Sequence, residues 1–279
     1  MKRDFRIRSK EPGAAKTGGS DSPFEIRKPQ SEVASLVIPA YNERRRIEAC
    51  IRGVAEWVHS RPGGWDWEVL LVDDGSEDGT LAAARRTADE NQLALRVHRS
   101  EVNRGKGHAL RTGVLASKGD PVLLADTDLS TPLSEWIKLA ERLPTHPIAI
   151  GSRGMRDDLV RRPQPFYRQV LGKTGNRLVR LLAVPGILDT QCGFKLLRGD
   201  IARELFREAR IDGFAYDIEI LFLARRHGID IAEVPVLWFN SPESKVSVFR
   251  HALPTLWDLL RLRWIHRRDA GLGTRDSKH

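Results

Sequence analysis

Only two of the 279 residues are cysteine, Cys50 and Cys192. That is too few for a disulfide framework or a zinc ribbon, and it fits a reducing compartment. No apolar run approaches the roughly 18 residues that cross a bilayer. The first residues, Met1-Lys-Arg-Asp-Phe-Arg-Ile-Arg, carry base but no apolar segment behind it, so no secretory leader is expected. Missing too are the Gly-x-x-x-x-Gly-Lys-Ser/Thr phosphate loop, the Gly-x-Gly-x-x-Gly of dinucleotide folds and the Gly-x-Ser-x-Gly nucleophile elbow. Acid is in deficit, with 37 Asp+Glu against 46 Lys+Arg and a formal net charge of +9. What is present, 41% hydrophobic and 30% charged residues, suffices for a sizeable core. The excess base leaves three classes of partner: nucleic acid, a membrane surface or an anionic substrate.

Residues 1–32 are polar, Gly/Ser/Pro-containing and basic, and are expected to form a flexible arm. Apolar runs at 33–38, 68–73, 93–98, 121–126 and 148–152 read as strands. Helices are expected between them, at 43–59, 79–91, 107–117 and from 132. The runs are continuous rather than alternating, which implies strands covered on both faces. The fold class is therefore α/β, a mostly parallel sheet flanked by helices in one domain over 33–245. A basic helix is expected at 166–182, a strand at 191–197, helices at 201–208 and 216–227, and a strand at 231–239. Residues 246–279 read as an amphipathic basic helix and tail.

In an open parallel sheet, ligands bind outside the carboxyl ends of the strands. Three strands end in polar signatures: Pro39-Ala-Tyr-Asn-Glu43, Asp73-Asp-Gly-Ser76 and Asp126-Thr-Asp128. Helix capping explains one acid at each end, but less well a pair at two different ends. Two carboxylates at Asp-x-Asp spacing repel unless a cation or hydrogen bonds compensate. Mg²⁺ or Mn²⁺ is held in this manner, by one or two carboxylates and the substrate's phosphate oxygens. Asn103-Arg-Gly-Lys-Gly-His108 places flexible glycines and base at a helix start. It faces a pyrophosphate or is a turn with solvated charges.

Asp189-Thr-Gln-Cys-Gly-Phe-Lys195 and Phe214-Ala-Tyr-Asp-Ile-Glu-Ile220 complete the series. With these motifs in this order, the chain resembles family 2 glycosyltransferases of the GT-A (Rossmann-like) fold, over about residues 35–263. Within them it looks most like the dolichyl-phosphate β-glucosyltransferases, with the polyprenyl-phosphate mannosyltransferases, users of GDP-mannose, as cousins. The resemblance implies that Pro39, Tyr41 and Glu43 line a nucleoside pocket. Asp74 would accept from the uracil N3–H, with Asp73 beside it. Asp126 would lie near the ribose or metal, Asp128 would ligate the divalent ion, and Lys106 would lie near the donor phosphates. The polar arm stands where the eukaryotic enzymes carry a transmembrane helix. Leu-Ser-Thr-Pro follows the Asp-x-Asp in place of a Gly-Ala-Thr stretch.

A phosphate acceptor is already ionised near neutrality and needs positive charge more than a base. Residues 153–180 hold eight Lys/Arg against two Asp. Of these, Arg153 and Arg168 are the candidate contacts to the acceptor phosphate. Asp189 is either a base or orienting acid, or a structural turn residue. Glu219, on an otherwise apolar helix, is placed to orient a basic residue from inside. The stretch 252–265 mixes Leu and Trp with Arg, either as an interfacial helix on an anionic membrane or packed on the body. Trp238, Trp257 and Trp264 read individually as core residues.

The expected activity is thus inverting, metal-assisted transfer of a sugar, glucose foremost, from a UDP-sugar to a polyprenyl phosphate. A soluble or polysaccharide acceptor is the alternative. A nucleic-acid-binding module lacks a motif and leaves the acidic strand ends unexplained. The expected location is cytoplasmic, peripheral at the inner face of the membrane.

Overall fold

The computed structural model describes residues 33–60, 62–153, 155, 183–239 and 248–267. The expected arm, the helix at 166–182 and with it Arg168 lie outside the described residues. Seven strands form one sheet: β1 (Val33–Ala40), β2 (Asp66–Asp73), β3 (Leu95–Arg99), β4 (Val122–Leu124), β5 (Ile148–Ser152), β6 (Lys195–Leu197) and β7 (Ile231–Pro235). Their order is β3-β2-β1-β4-β6-β5-β7. β6 runs antiparallel to both β4 and β5, whereas the other neighbours pair in parallel. Six carboxyl ends therefore share one edge of the sheet, together with the amino end of β6.

Strand faces alternate with residue parity, and each face has its own helices. Val37, Leu70, Val72, Leu124 and Ile150 pack in one core layer with α3 (Lys106–Ala116), α5 (Gly199–Glu208), α6 (Tyr216–Arg226) and Leu259 and Leu262 of α7 (Val248–Ile265). Leu36, Ile38, Leu71 and Leu123 form the other layer with α1 (Ile47–His59), α2 (Thr80–Glu90) and α4 (Trp136–Ala140). Each fully buried Leu or Ile contributes about 1.5–3 kcal/mol of transfer free energy. On the second face Trp57, Trp67 and Trp136 close a ring cluster with centroids 4.5–6.4 Å apart.

Several boundaries depart from expectation for physical reasons. β1 continues through Pro39 to Ala40. Val37 accepts from Ala125 N and Ala40 from Asp74 N, so alternate residues face β4 and β2. Pro39 faces the β4 side, beyond the last β1–β4 pair at Val37, where its missing N–H breaks no ladder bond. The helix expected from Pro132 is a 3-10 turn, Leu133–Glu135, followed by the short α4. Of the strand expected at 191–197 only Lys195–Leu197 pairs, and that at 231–239 pairs over Ile231–Pro235. Among the described residues no helix is long and apolar enough to cross a membrane.

Candidate active site

The ends of β1 and β2 are tied together. Asn42, whose φ of 52° is tolerable for an Asn, donates its N–H to Ser76 Oγ at 2.9 Å and accepts at Oδ1 from Glu77 N at 3.0 Å. Glu43 N donates to Thr80 Oγ1 at 2.7 Å. Tyr41 is left 44% exposed at the mouth, an accessible aromatic face. Gly75 has φ +78°, and a Cβ there would lie 2.7 Å from the Val102 carbonyl carbon, so the Asp-Asp-Gly-Ser turn requires glycine.

Asp74 is buried, and its carboxylate accepts the N–H of Arg104 at 3.1 Å and of Gly105 at 2.7 Å. It thereby holds the Asn103-Arg-Gly-Lys loop at the start of α3. Asp73, fully buried, accepts from Ser76 N at Oδ1, and its Oδ2 faces Arg99 Nε at 3.6 Å. Gly105 and Gly107 pack so closely on the Ile211 and Asp212 backbone that a Cβ on either would collide with it.

Lys106 Nζ reaches Asp126 Oδ1 at 2.6 Å and lies 5.8 Å from the Tyr216 ring centroid. Burial works against both charges, yet each holds the other ionised: the Lys106 pKa is raised and the Asp126 pKa lowered. Asp128 Oδ1 accepts from Ser130 N at 3.0 Å, and its Oδ2 faces Arg46 Nη1 at 4.0 Å. Arg46 in turn grips Glu43 with two bonds of 2.8 and 2.7 Å. The nucleoside-side Glu43 and the metal-candidate Asp128 are thus linked through one guanidinium. Gly193, in the Asp-Thr-Gln-Cys-Gly-Phe-Lys segment, packs directly against the Asp126 carboxylate, where any Cβ would collide with Oδ2.

Beyond Asp126 the lining changes sign. Arg153, immediately after β5, donates to Asp189 from its backbone N at 2.9 Å and from Nε and Nη2 at 2.7 and 2.8 Å. Burial opposes both charges, but their contact raises the Arg153 pKa and lowers that of Asp189. The guanidinium lies 5.7 Å from the Trp238 ring centroid. Both oxygens of Asp189 are committed to a cation, which fits an orienting acid rather than a base in waiting. Below this pair Lys195 and Asp217 form a buried ion pair, and Lys195 also donates to the Cys192 carbonyl.

Both thiols are buried. Burial pushes Cys50 up to about 12 and Cys192 up to about 11. Neither has the thiolate character of a nucleophile. Glu219 does meet a basic residue: His266 Nε2 lies 2.8 Å away, and Glu219 also accepts from Arg210 N and Ile211 N.

Arg46 and Glu233 escaped sequence reading, because each sits in a segment whose neighbours announce only a strand or helix; Lys195 and Asp217 were quoted within two motifs, but their pairing was not read. Glu233 did leave one signal, a lone acid inside the apolar Ile-Ala-Glu-Val-Pro run. Trp257 and Trp264 are not core residues; they are 65% and 72% exposed.

The model of the glycosyl transferase family 2 matches residues 35–206, the span from β1 into α5. The chain belongs to that family. One relative, a dolichyl-phosphate beta-glucosyltransferase of Mus musculus, is 36% identical over 83% of this chain and 75% of its own. Another of that name, from Trichomonas vaginalis, is 31% identical over 91% and 80%. Among solved structures, glucosyl-3-phosphoglycerate synthase of Mycobacterium tuberculosis superposes with a TM-score of 0.62 at 21% identity, covering 88% of this chain and 81% of that one. The fold is the GT-A α/β fold.

Proposed function

We propose that this family 2 protein is an inverting hexosyltransferase that moves glucose from UDP-glucose to a polyprenyl phosphate. One observation carries the reading: at one edge of the sheet, carboxylates at the ends of β1, β2 and β4 meet Lys106 at the start of α3, and beside them stands Arg153, paired with Asp189 and over the Trp238 ring. Exposed apolar side chains stand within two residues of Arg153, Asp189 and Trp238 along the chain, namely Met155, Leu188 and Phe239. This is a place for an anionic head on an apolar tail. Relatives named for transfer to dolichyl phosphate support the same acceptor.

On the donor side Tyr41 would stack on the base beside Pro39, with Glu43 and the Asp73–Asp74 pair edging the pocket. The protein offers no cluster of three metal-ligating side chains among its described residues. Asp128 and Asp126 instead fit a Mg²⁺ or Mn²⁺ ion whose remaining ligands are diphosphate oxygens and water. Manganese bound together with UDP in the M. tuberculosis synthase supports the choice. Such an ion supplies neutralisation of the leaving diphosphate. Lys106 adds a positive charge beside Asp126. The acceptor phosphate oxygen attacks the sugar C1 as the C1–O bond to UDP breaks, with inversion and with no proton to remove. Arg153, oriented by Asp189, aligns that oxygen.

Helix α7 supports a membrane-surface location at the cytoplasmic leaflet. Trp257, Leu260 and Trp264 are 60% or more exposed and recur at helical spacing beside Arg261, Arg263 and Arg267, the pattern of an interfacial helix. W257A/W264A is expected to weaken sedimentation with anionic vesicles about tenfold, the scale of two lost interfacial aromatics; unchanged sedimentation would remove α7 as the anchor.

The test of the activity crosses donors with acceptors. With Mn²⁺ or Mg²⁺, UDP-glucose and a short polyprenyl phosphate should yield lipid-linked glucose. Transfer from GDP-mannose alone, or only to a soluble sugar or polysaccharide, would overturn the donor or the acceptor respectively.

A further inference from the structure

Three donors converge on the carboxylate of Glu233, in the middle of β7. Ser152 Oγ donates to Oε1 at 2.6 Å, Asp189 N donates to the same oxygen at 2.7 Å, and Leu188 N donates to Oε2 at 2.8 Å. Ser152 is the last residue of β5 and Arg153 follows it. One carboxylate therefore clamps both halves of the Arg153–Asp189 pair: the strand end that carries the arginine and the turn that carries the aspartate. Two consecutive backbone N–H groups aimed at one anion fix that turn more firmly than a neutral acceptor would.

The consequence is geometric. Asp189 takes the Nε and Nη2 side of the guanidinium and Trp238 takes one face. The end-on edge, Nη1 with the second N–H of Nη2, then points away from Asp189, and that edge matches a phosphate bidentately. Any slackening of the 188–189 turn rotates this edge, and in-line attack tolerates little misplacement.

We propose that Glu233 is a positioning residue for the acceptor phosphate, acting through Asp189 on the end-on edge of Arg153. The proposal rests on the assignment of Arg153 to the acceptor made above. Glu233 touches neither substrate. Its effect belongs to acceptor KM, and donor KM is untouched.

A double-mutant cycle tests it on the full chain. R153A is expected to raise acceptor KM about a hundredfold and E233A about tenfold, corresponding to a lost charged contact and a loosened one. E233Q keeps the volume and one acceptor oxygen but sets an amide N–H against Leu188 N, and is expected to fall between wild type and E233A. In the R153A background, E233A should add less than twofold, because the residue it positions is gone. Donor KM should match wild type in E233Q, with the melting temperature lowered by no more than about a few degrees. Equal acceptor KM for E233Q, E233A and wild type would overturn the proposal. So would a tenfold effect of E233A that persists undiminished in R153A, or one that falls equally on donor KM. If wild type glucosylates a soluble phosphate and no polyprenyl phosphate, the lipid assignment fails; the same cycle run on that phosphate still decides the role of Glu233.

Discussion

The two walls of the crevice hold carboxylates in different ways. At the donor wall Asp74 is held by backbone N–H groups and Asp128 by one N–H and a distant arginine, whereas Asp126 pairs with Lys106 and Glu43 with Arg46. At the acceptor wall Asp189 is locked by three bonds to Arg153 and Asp217 is buried against Lys195. A carboxylate held by N–H groups keeps its negative charge on display, and one held by an arginine lends its order to the arginine. The donor wall therefore presents net acid suited to a metal-bound diphosphate and a base, whereas the acceptor wall presents a fixed cation. On the proposed function, the same side-chain chemistry would serve opposite ligands because the partner differs.

The comparison breaks most sharply at Asp128. D128A should cost about 10³-fold or more in kcat, as expected when a group stabilising the departing charge is lost; steady-state rates at saturating Mn²⁺ check it. An effect under tenfold would show that the donor wall does not depend on this carboxylate. Gly193 sits where the two walls meet, and G193A forces a Cβ against Asp126. A loss of about a hundredfold in kcat/KM is expected from an ångström-scale displacement, felt in both donor and acceptor KM. An effect on one substrate alone would mean that the walls move independently.

The smallest expected effect is that of pH. Asp126 and Asp189 have folded pKa values lowered from 3.8, so the stability they add is complete above that value and drains as pH falls through the folded one. Lys106 is raised from 10.5, so its contribution is complete below that and is lost only at higher pH. Between about pH 5 and 9 these groups do not titrate. The rate should instead follow the acceptor's own second phosphate ionisation near pH 6, while melting temperature falls only below about pH 6.5, where His108, held below its usual value chiefly by burial, protonates more readily in the unfolded chain. A melting temperature that moves by several degrees between pH 7 and 8, above the histidine range, would contradict the pairing of these groups.

Much of the donor wall was legible along the chain. Its acids directly follow apolar strands, and topology places the carboxyl ends of adjacent parallel strands side by side. Asn103 to His108 was legible as a basic glycine loop, though its attachment to Asp74 and to the Ile211–Asp212 backbone was not. The acceptor wall was less legible, since Arg153, Asp189 and the Glu233–Trp238 stretch come from three separate segments. Their meeting depends on β6 entering the sheet antiparallel between β4 and β5; the strand was legible, its direction and its neighbours were not. The exposure of Trp257 and Trp264 was misread for a similar reason: an apolar side chain in a helix reports burial only once it is known which face the body covers.

By itself, then, the sequence determined the α/β class, the strand ends that carry acid and the loop that carries Lys106, because these follow from local periodicity and from chain punctuation. Tertiary structure alone decided that Asp189 orients Arg153, that Glu233 clamps both, and that Arg46 bridges Glu43 to Asp128. Except for the Glu43–Arg46 pair, three residues apart, those are contacts between residues tens of positions apart, and no local rule encodes the distance at which two charges come to rest.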